Sequence, residues 1–164
     1  MKADCTLISI KKKDSSSDLR EAIRLAERAV SLDPYDAMLH QHLGNLYWKS
    51  GELVKAEQHL KLGVRYGAYV LSLYLDMAKF YTEVGKSEQA EEVLIAAVNL
   101  IEYAVKKASY TDKPTRLIEA AFIHQHLAKI YEQREERSLN EHHLSEGQSF
   151  LKEAFTLQEN EINN

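Results

Sequence analysis

Residues 37–64, AMLHQHLGNLYWKSGELVKAEQHLKLGV, lie over residues 71–98, LSLYLDMAKFYTEVGKSEQAEEVLIAAV, at a constant offset of 34. The superposition puts Gly44 on Ala78, Tyr47 on Tyr81, Gly51 on Gly85, Ala56 on Ala90, Leu60 on Leu94 and Gly63 on Ala97. In both copies apolar residues recur every three or four positions, the spacing of one face of an α-helix. Gly51 and Gly85 interrupt that spacing midway, so each copy predicts two helices joined by a glycine turn. One such hairpin cannot bury both of its apolar faces. A fixed period of this length therefore predicts hairpins stacked along a shared core.

The rest of the chain reads the same way. Only Pro34 and Pro114 break the helical spacing. Asp18, three residues before Glu21, and Asp36 after Pro34 mark helix starts, and Gly51, Gly67 and Gly85 mark stops. Residues 5–10, CTLISI, have β character but are too short to build a sheet. The two helices of a hairpin must approach closely, which needs a small residue on each: Gly44 with Ala56, and Ala78 with Ala90. Tyr47 and Tyr81 fill the wider gap beside them, while Ala29, Gly63 and Ala97 let the next hairpin stack.

A second echo tests the pattern. HQHLGNLYWKSGE, residues 40–52, returns as HQHLAKIYEQREE, residues 124–136, with His124 on His40, Ala128 on Gly44 and Tyr131 on Tyr47. Paired HQH triplets suggest metal ligands, but residues two apart on a helix point about 200° apart and cannot converge on one ion. The triplets are a repeat echo, and His40 and His124 take an inter-helix packing position. The pair His142 and His143 is no better a ligand set, and no metal is expected.

Two spacings depart from the period. From Ala78 to Ala128 is 50 residues, so 16 extra residues, helical on both sides of residues 109–115, predict one lengthened hairpin arm near residues 98–120. Shared equally, they add about 12 Å to each helix. In the last repeat, placing Leu151 and Ala154 on second-helix positions calls for about seven extra residues around residues 134–143, expected as an exposed, charged loop. Residues 1–17 are expected as a tail or a degenerate helix, residues 18–158 as one repeat domain and residues 159–164 as a tail.

Composition bounds the function. The 164 residues are 45% hydrophobic and 28% charged with a net charge of −4, which suits one globular domain burying roughly two-thirds of its unfolded surface. Lys11, Lys12 and Lys13 form the one basic run, far from the continuous basic face that nucleic acid needs. Cys5 is the sole cysteine, which excludes an internal disulfide or a cysteine zinc cluster and points to a reducing, cytoplasmic setting. The first 18 residues lack the order of a secretory signal, and no apolar run approaches the roughly 18 residues of a membrane span. There is no glycine-rich phosphate loop, HExxH, nucleophile elbow or CxxC. No catalysis and no cofactor are expected.

The segments GNLYWKSGELVKAEQHL and DLREAIRLAERAVSLDPYD closely resemble the tetratricopeptide repeat consensus, with Ala22, Ala26, Ala29 and Pro34 on its small and proline positions. The resemblance covers residues 18–104 well. It implies an all-α solenoid of antiparallel helix hairpins whose first helices line a concave groove that holds a protein or peptide segment. In that register the groove positions include Gln41, Asn45, Trp48 and Lys49, then Leu75, Asp76, Lys79 and Thr82, then Gln125, His126, Lys129 and Gln133. The family's carboxylate clamp is not carried over, because Gln41 stands where the clamp has lysine and no arginine follows. The resemblance implies an adaptor, scaffold or chaperone-like role, or, as the alternative, an architectural subunit that self-assembles through its convex face or long arm, with a homo-oligomer as one outcome.

Overall fold

The computed structural model describes residues 3–162, with side chains from residue 17 to residue 160. The side chains of Cys5 and Lys11 to Lys13 lie outside that range. Seven helices follow in order: α1 (Ala3–Leu32), α2 (Ala37–Ser50), α3 (Leu53–Tyr66), α4 (Leu71–Glu83), α5 (Ser87–Lys107), α6 (Lys113–Gln133) and α7 (Arg137–Ile162). No strand occurs among the described residues. The chain forms two compact units, Met1–Ala68 and Tyr69–Asn164.

In the first unit α2 packs between α1 and α3. Asp36 caps α2, its carboxylate accepting from the backbone N–H of Met38 at 2.7 Å and of Leu39 at 2.9 Å. Gly51 ends the helix at φ 84°, a left-handed conformation that costs glycine little, and Glu52 N–H then donates to Tyr47 O at 2.9 Å. This turn brings α3 against α2 so closely that a Cβ on Gly44 would lie 2.9 Å from Leu60 Cγ and 3.1 Å from its backbone nitrogen. Ala56 faces the same contact and is fully buried. From α1, Ile23 and Ala26 are buried on the other side. Asp18 does not begin a helix as expected: α1 runs unbroken from Ala3, so residues 3–17 continue the helix that carries Ile23.

In the second unit Gly85 repeats the turn at φ 76°, with Lys86 N–H donating to Tyr81 O at 2.8 Å. The lengthened arm is present. Helices α5 and α6 have 21 residues each, eight more than the 13 of α4, roughly 12 Å of extra length apiece. Pro114 stands in the first turn of α6, where its missing N–H breaks no helical bond.

The last hairpin corrects the sequence reading. There is no loop across residues 134–143. Helix α6 stops at Gln133, and α7 begins at Arg137 and continues to Ile162, through most of the expected C-terminal tail. Glu135 takes the place of Gly51, at φ 61°, and Glu136 N–H donates to Tyr131 O at 2.9 Å as Glu52 does to Tyr47. The offset of 84 thus holds past the turn, with Asn140 on Ala56, His143 on His59 and Gly147 on Gly63. Asn140 donates its side-chain amide to Ala128 O at 2.8 Å across the hairpin. The misreading has a cause: seven residues fall only about 20° short of two helical turns, so Leu151 and Ala154 share a face with Leu144 and Gly147.

The HQH triplets are packing elements. His40 and His124 are 3% and 5% exposed. His40 Nδ1 lies 2.9 Å from His59 Nδ1, and His124 Nδ1 lies 3.0 Å from His143 Nδ1. Tyr47 stacks on His59 at 5.5 Å between centroids and Tyr131 on His143 at 5.3 Å. Each tyrosine hydroxyl donates to a glutamate of the preceding helix, Tyr47 to Glu27 and Tyr131 to Glu91. In the first pair the tautomers follow from the partners. Pro34 O, 3.0 Å from His40 Nε2, can only accept, so neutral His40 carries its proton there and His59 Nδ1–H donates to His40 Nδ1. Burial first, then His124 and His142, lowers the His143 pKa to about 4.

Three outcomes follow from this packing. Gly44→Leu overfills the closest helix approach and should lower stability by about 1–3 kcal/mol or more; an unchanged melting temperature would refute the contact. Glu135→Gly relieves a left-handed backbone and should raise stability by about 1 kcal/mol, a rise of about 2–4 °C by calorimetry for a chain of this size. The native fold favours neutral His143, so its contribution is complete above the ordinary imidazole value of 6.5 and is lost as pH falls toward about 4. Imidazole 15N titration should show His143 neutral at about pH 5, where an unperturbed histidine is charged. The Tyr131 hydroxyl, followed by the Arg134 guanidinium, holds the Glu91 carboxyl below its ordinary value.

Candidate partner-binding surfaces

On α2, Gln41, Asn45, Trp48 and Lys49 step by four, three and one residues, which keeps them on one side of the helix while Leu43, Gly44, Leu46 and Tyr47 are buried on the other. Gln41, Asn45 and Trp48 are half-buried and Lys49 is exposed. The core side holds the backbone rigid, so the row is fixed in place. Tyr47 is 3% exposed, locked between His59 and Glu27, and the neighbouring Trp48 stands about 100° round the helix from it, half-buried. Lys49 lies in the last turn of α2, where its charge complements the helix dipole.

In the second unit the row divides between α4 and α6. Asp76 is half-buried on α4 and Lys79 exposed; Gln125 and Lys129 are exposed on α6. Desolvation, followed by the Lys129 and Lys79 ammonium groups, holds the His126 pKa below its ordinary value. Of the other expected positions, Thr82 turns its hydroxyl back to Ala78 O at 2.9 Å and is satisfied within its own helix. Among the described residues no group of three or more His, Cys, Asp or Glu side chains could hold a metal ion, and no helix is long and apolar enough to cross a membrane.

Sequence reading missed the partners of the buried histidines. His59 and His143 each stand 19 residues after the first histidine of a triplet, a signal present in the sequence but hidden by the loop assigned to residues 134–143. It also missed the Glu91 cluster, where the Tyr131 hydroxyl, at 2.6 Å, and the Arg134 guanidinium meet one carboxylate across 40 and 43 residues. That meeting depends on how α6 packs on α5, a tertiary contact that no local pattern encodes.

Residues 15–68 match the tetratricopeptide repeat family model. The TPR repeat-containing protein YpiA of Bacillus subtilis (strain 168) is 32% identical over 82 residues, half of this chain, and this chain spans 19% of that relative. Among solved structures, MamA is 20% identical with a TM-score of 0.47, covering 93% of this chain and 96% of its own. YrrB, described as a TPR protein with an unusual peptide-binding site, is 15% identical with a TM-score of 0.45, covering 91% and 86%. The matched segment is similar to the tetratricopeptide repeat, and the left-handed turn that it contains at Gly51 recurs at Gly85 and Glu135.

Proposed function

We propose that this protein is a non-catalytic interaction module, an adaptor, scaffold or chaperone-like protein that holds a partner segment against its first-helix faces. Tetratricopeptide architecture supports protein–protein interaction, and no cofactor enters this reading. The carrying observation is the row of Gln41, Asn45, Trp48 and Lys49 on the side of α2 away from its buried Leu43, Leu46 and Tyr47. Lys79 on α4 and Lys129 on α6 are exposed and add cationic groups on first helices of the second unit. On α2 the row of Gln41, Asn45, Trp48 and Lys49 adds an aromatic anchor of the type that dominates binding energies. The matching partner is a protein or peptide segment with an apolar side chain and one or two carboxylates. Asp76 dilutes the positive potential, which sets the affinity at roughly micromolar, weakening as salt rises. Neither nucleic acid nor membrane fits a chain with this charge, and the reading places it in the cytoplasm.

One observation favours the architectural alternative. The arm exposes Tyr103 and Tyr110, 62% and 54% accessible, beside a cleft of about 350 Å³ that Tyr69, Tyr103 and Arg116 help to line. Aromatic surface of this kind suits assembly of copies of the chain or of a larger complex.

The two readings separate by experiment. Partners are identified by pull-down with mass spectrometry and titrated by calorimetry. Trp48→Ala, and separately Lys79→Ala with Lys129→Ala, should each weaken binding severalfold while the far-ultraviolet helical spectrum stays intact. A partner that binds both variants like the parent protein sinks the first-helix reading and leaves the arm.

A further inference from the structure

Helix α5 outruns the helix it pairs with. Counted from the close approach of Ala78 and Ala90, seven residues back along α4 reach its first residue, Leu71, and seven forward along α5 reach Ala97. Leu100 to Lys107, the last two turns of α5, therefore have no part of α4 across from them, while α6 packs along another side. The step left by this mismatch is the cleft of about 350 Å³, and every residue that lines it belongs to the second unit. It lies in the middle of the chain and is a product of the lengthened arm.

The lining says what fits. Leu71, Leu100, Ile101 and Ala104, half-buried or buried, form an apolar floor. Tyr69 and Tyr103, 87% and 62% exposed, stand beside it as walls. The rim is basic. Lys107 is exposed and in no ion pair with a described residue, and Arg116 bonds Glu119 through one nitrogen, Nη1, at 2.7 Å. Asp112, the acidic residue of the lining, is already engaged, its carboxylate accepting the Ser109 hydroxyl at 2.7 Å. A volume at the low end of the roughly 300–1,000 Å³ of ligand pockets admits a side chain or two and not a helix. Two copies of the chain are poor occupants of each other's clefts, because a contact of the same patch on both would bring Lys107 and Arg116 of one copy against those of the other.

We propose that the cleft between the start of α4 and the α5–α6 arm is a docking site for a segment of a partner protein that carries an aromatic side chain with a carboxylate beside it. The ring lies on Leu100 and Ala104 between Tyr69 and Tyr103, and the carboxylate meets Lys107 and Arg116. The cleft shares no residue with the first-helix rows. The proposal rests on the arm reading and narrows it to one site and one class of partner.

The test is an NMR titration of the 15N-labelled full chain with a synthetic glycine–serine peptide that carries a central Glu-Trp-Glu triplet. Saturable shifts centred on the amides of Tyr69, Leu71 and residues 100–108 are expected, with a Kd of roughly 10–100 µM for so short a ligand. Tyr103→Ala and Lys107→Glu, both at exposed positions, should leave the melting temperature in place and each weaken binding about fivefold. The same peptide with lysines for its glutamates should bind the parent chain at least about fivefold more weakly and should regain affinity on Lys107→Glu, a reciprocal change that damage to the fold cannot produce. No saturable shift, or equal binding of the two peptides, overturns the proposal. Shifts centred on residues 41–49 also overturn it and favour the first-helix reading instead. A chain that sediments as a dimer dissolved by Tyr103→Ala overturns it as well but leaves the arm reading standing, because a second copy is then the occupant.

Discussion

Every hairpin in this chain depends on one close approach, and the first shows why. Gly44 stands where any side chain would press on Leu60 and on the backbone behind it, and Ala56 faces it with no exposed surface. Two helices brought this near must carry almost nothing between them, and the space they give up is returned as dense contact along their flanks. Ala78 with Ala90 repeats the arrangement. The third hairpin varies it, with Ala128 facing Asn140, whose larger side chain is accommodated by a hydrogen bond to the facing carbonyl. The left-handed turn is the companion constraint, because only that backbone conformation returns the second helix onto the first at the right residue.

Around this common frame the first and third repeats carry an added feature that the middle one lacks. A buried histidine, a second histidine and a tyrosine pack together, and the tyrosine reaches a glutamate on the preceding helix. Tyr74 holds the place of the buried histidine in the middle repeat. The two copies are not equivalent. His40 Nε2 reaches Pro34 O because α1 has ended, whereas in the third repeat α6 extends back through the corresponding position, and the buried His124 Nε2 finds no hydrogen-bond partner. Lengthening the arm therefore removed an acceptor from the cluster, and the low His143 pKa reflects a site that accommodates neutral rings and penalises charged ones.

The proposed binding rows divide along the same lines. Positions that face the core are constrained by close approach and leave little room for chemistry. The polar and charged groups of the proposed rows lie on the outward sides of α2, α4 and α6, where rigid helices present them without large conformational cost. The same repeat geometry that supplies stability thus supplies the surfaces.

Much of this was legible in the sequence. The period of 34, the small residues at the close approach, the cap at Asp36, the turns at Gly51 and Gly85, and the long arm are local or periodic properties, and local spacing encodes them directly. The first-helix rows were legible as register but not as surfaces. Where the sequence went astray, periodicity was degenerate: a seven-residue shift scarcely rotates a helical face, so an imagined loop at residues 134–143 kept every apolar residue in a plausible place. Only side-chain contact resolved it, through His143 on His124 and Asn140 on Ala128 O. The continuation of α1 through Asp18 and the meeting of Tyr131 and Arg134 at Glu91 are likewise tertiary facts. The sequence alone determined which residues could face inward, because that is set by helical repeat; which partner each inward residue meets was decided by how the helices pack on one another, and only the tertiary structure contains that packing.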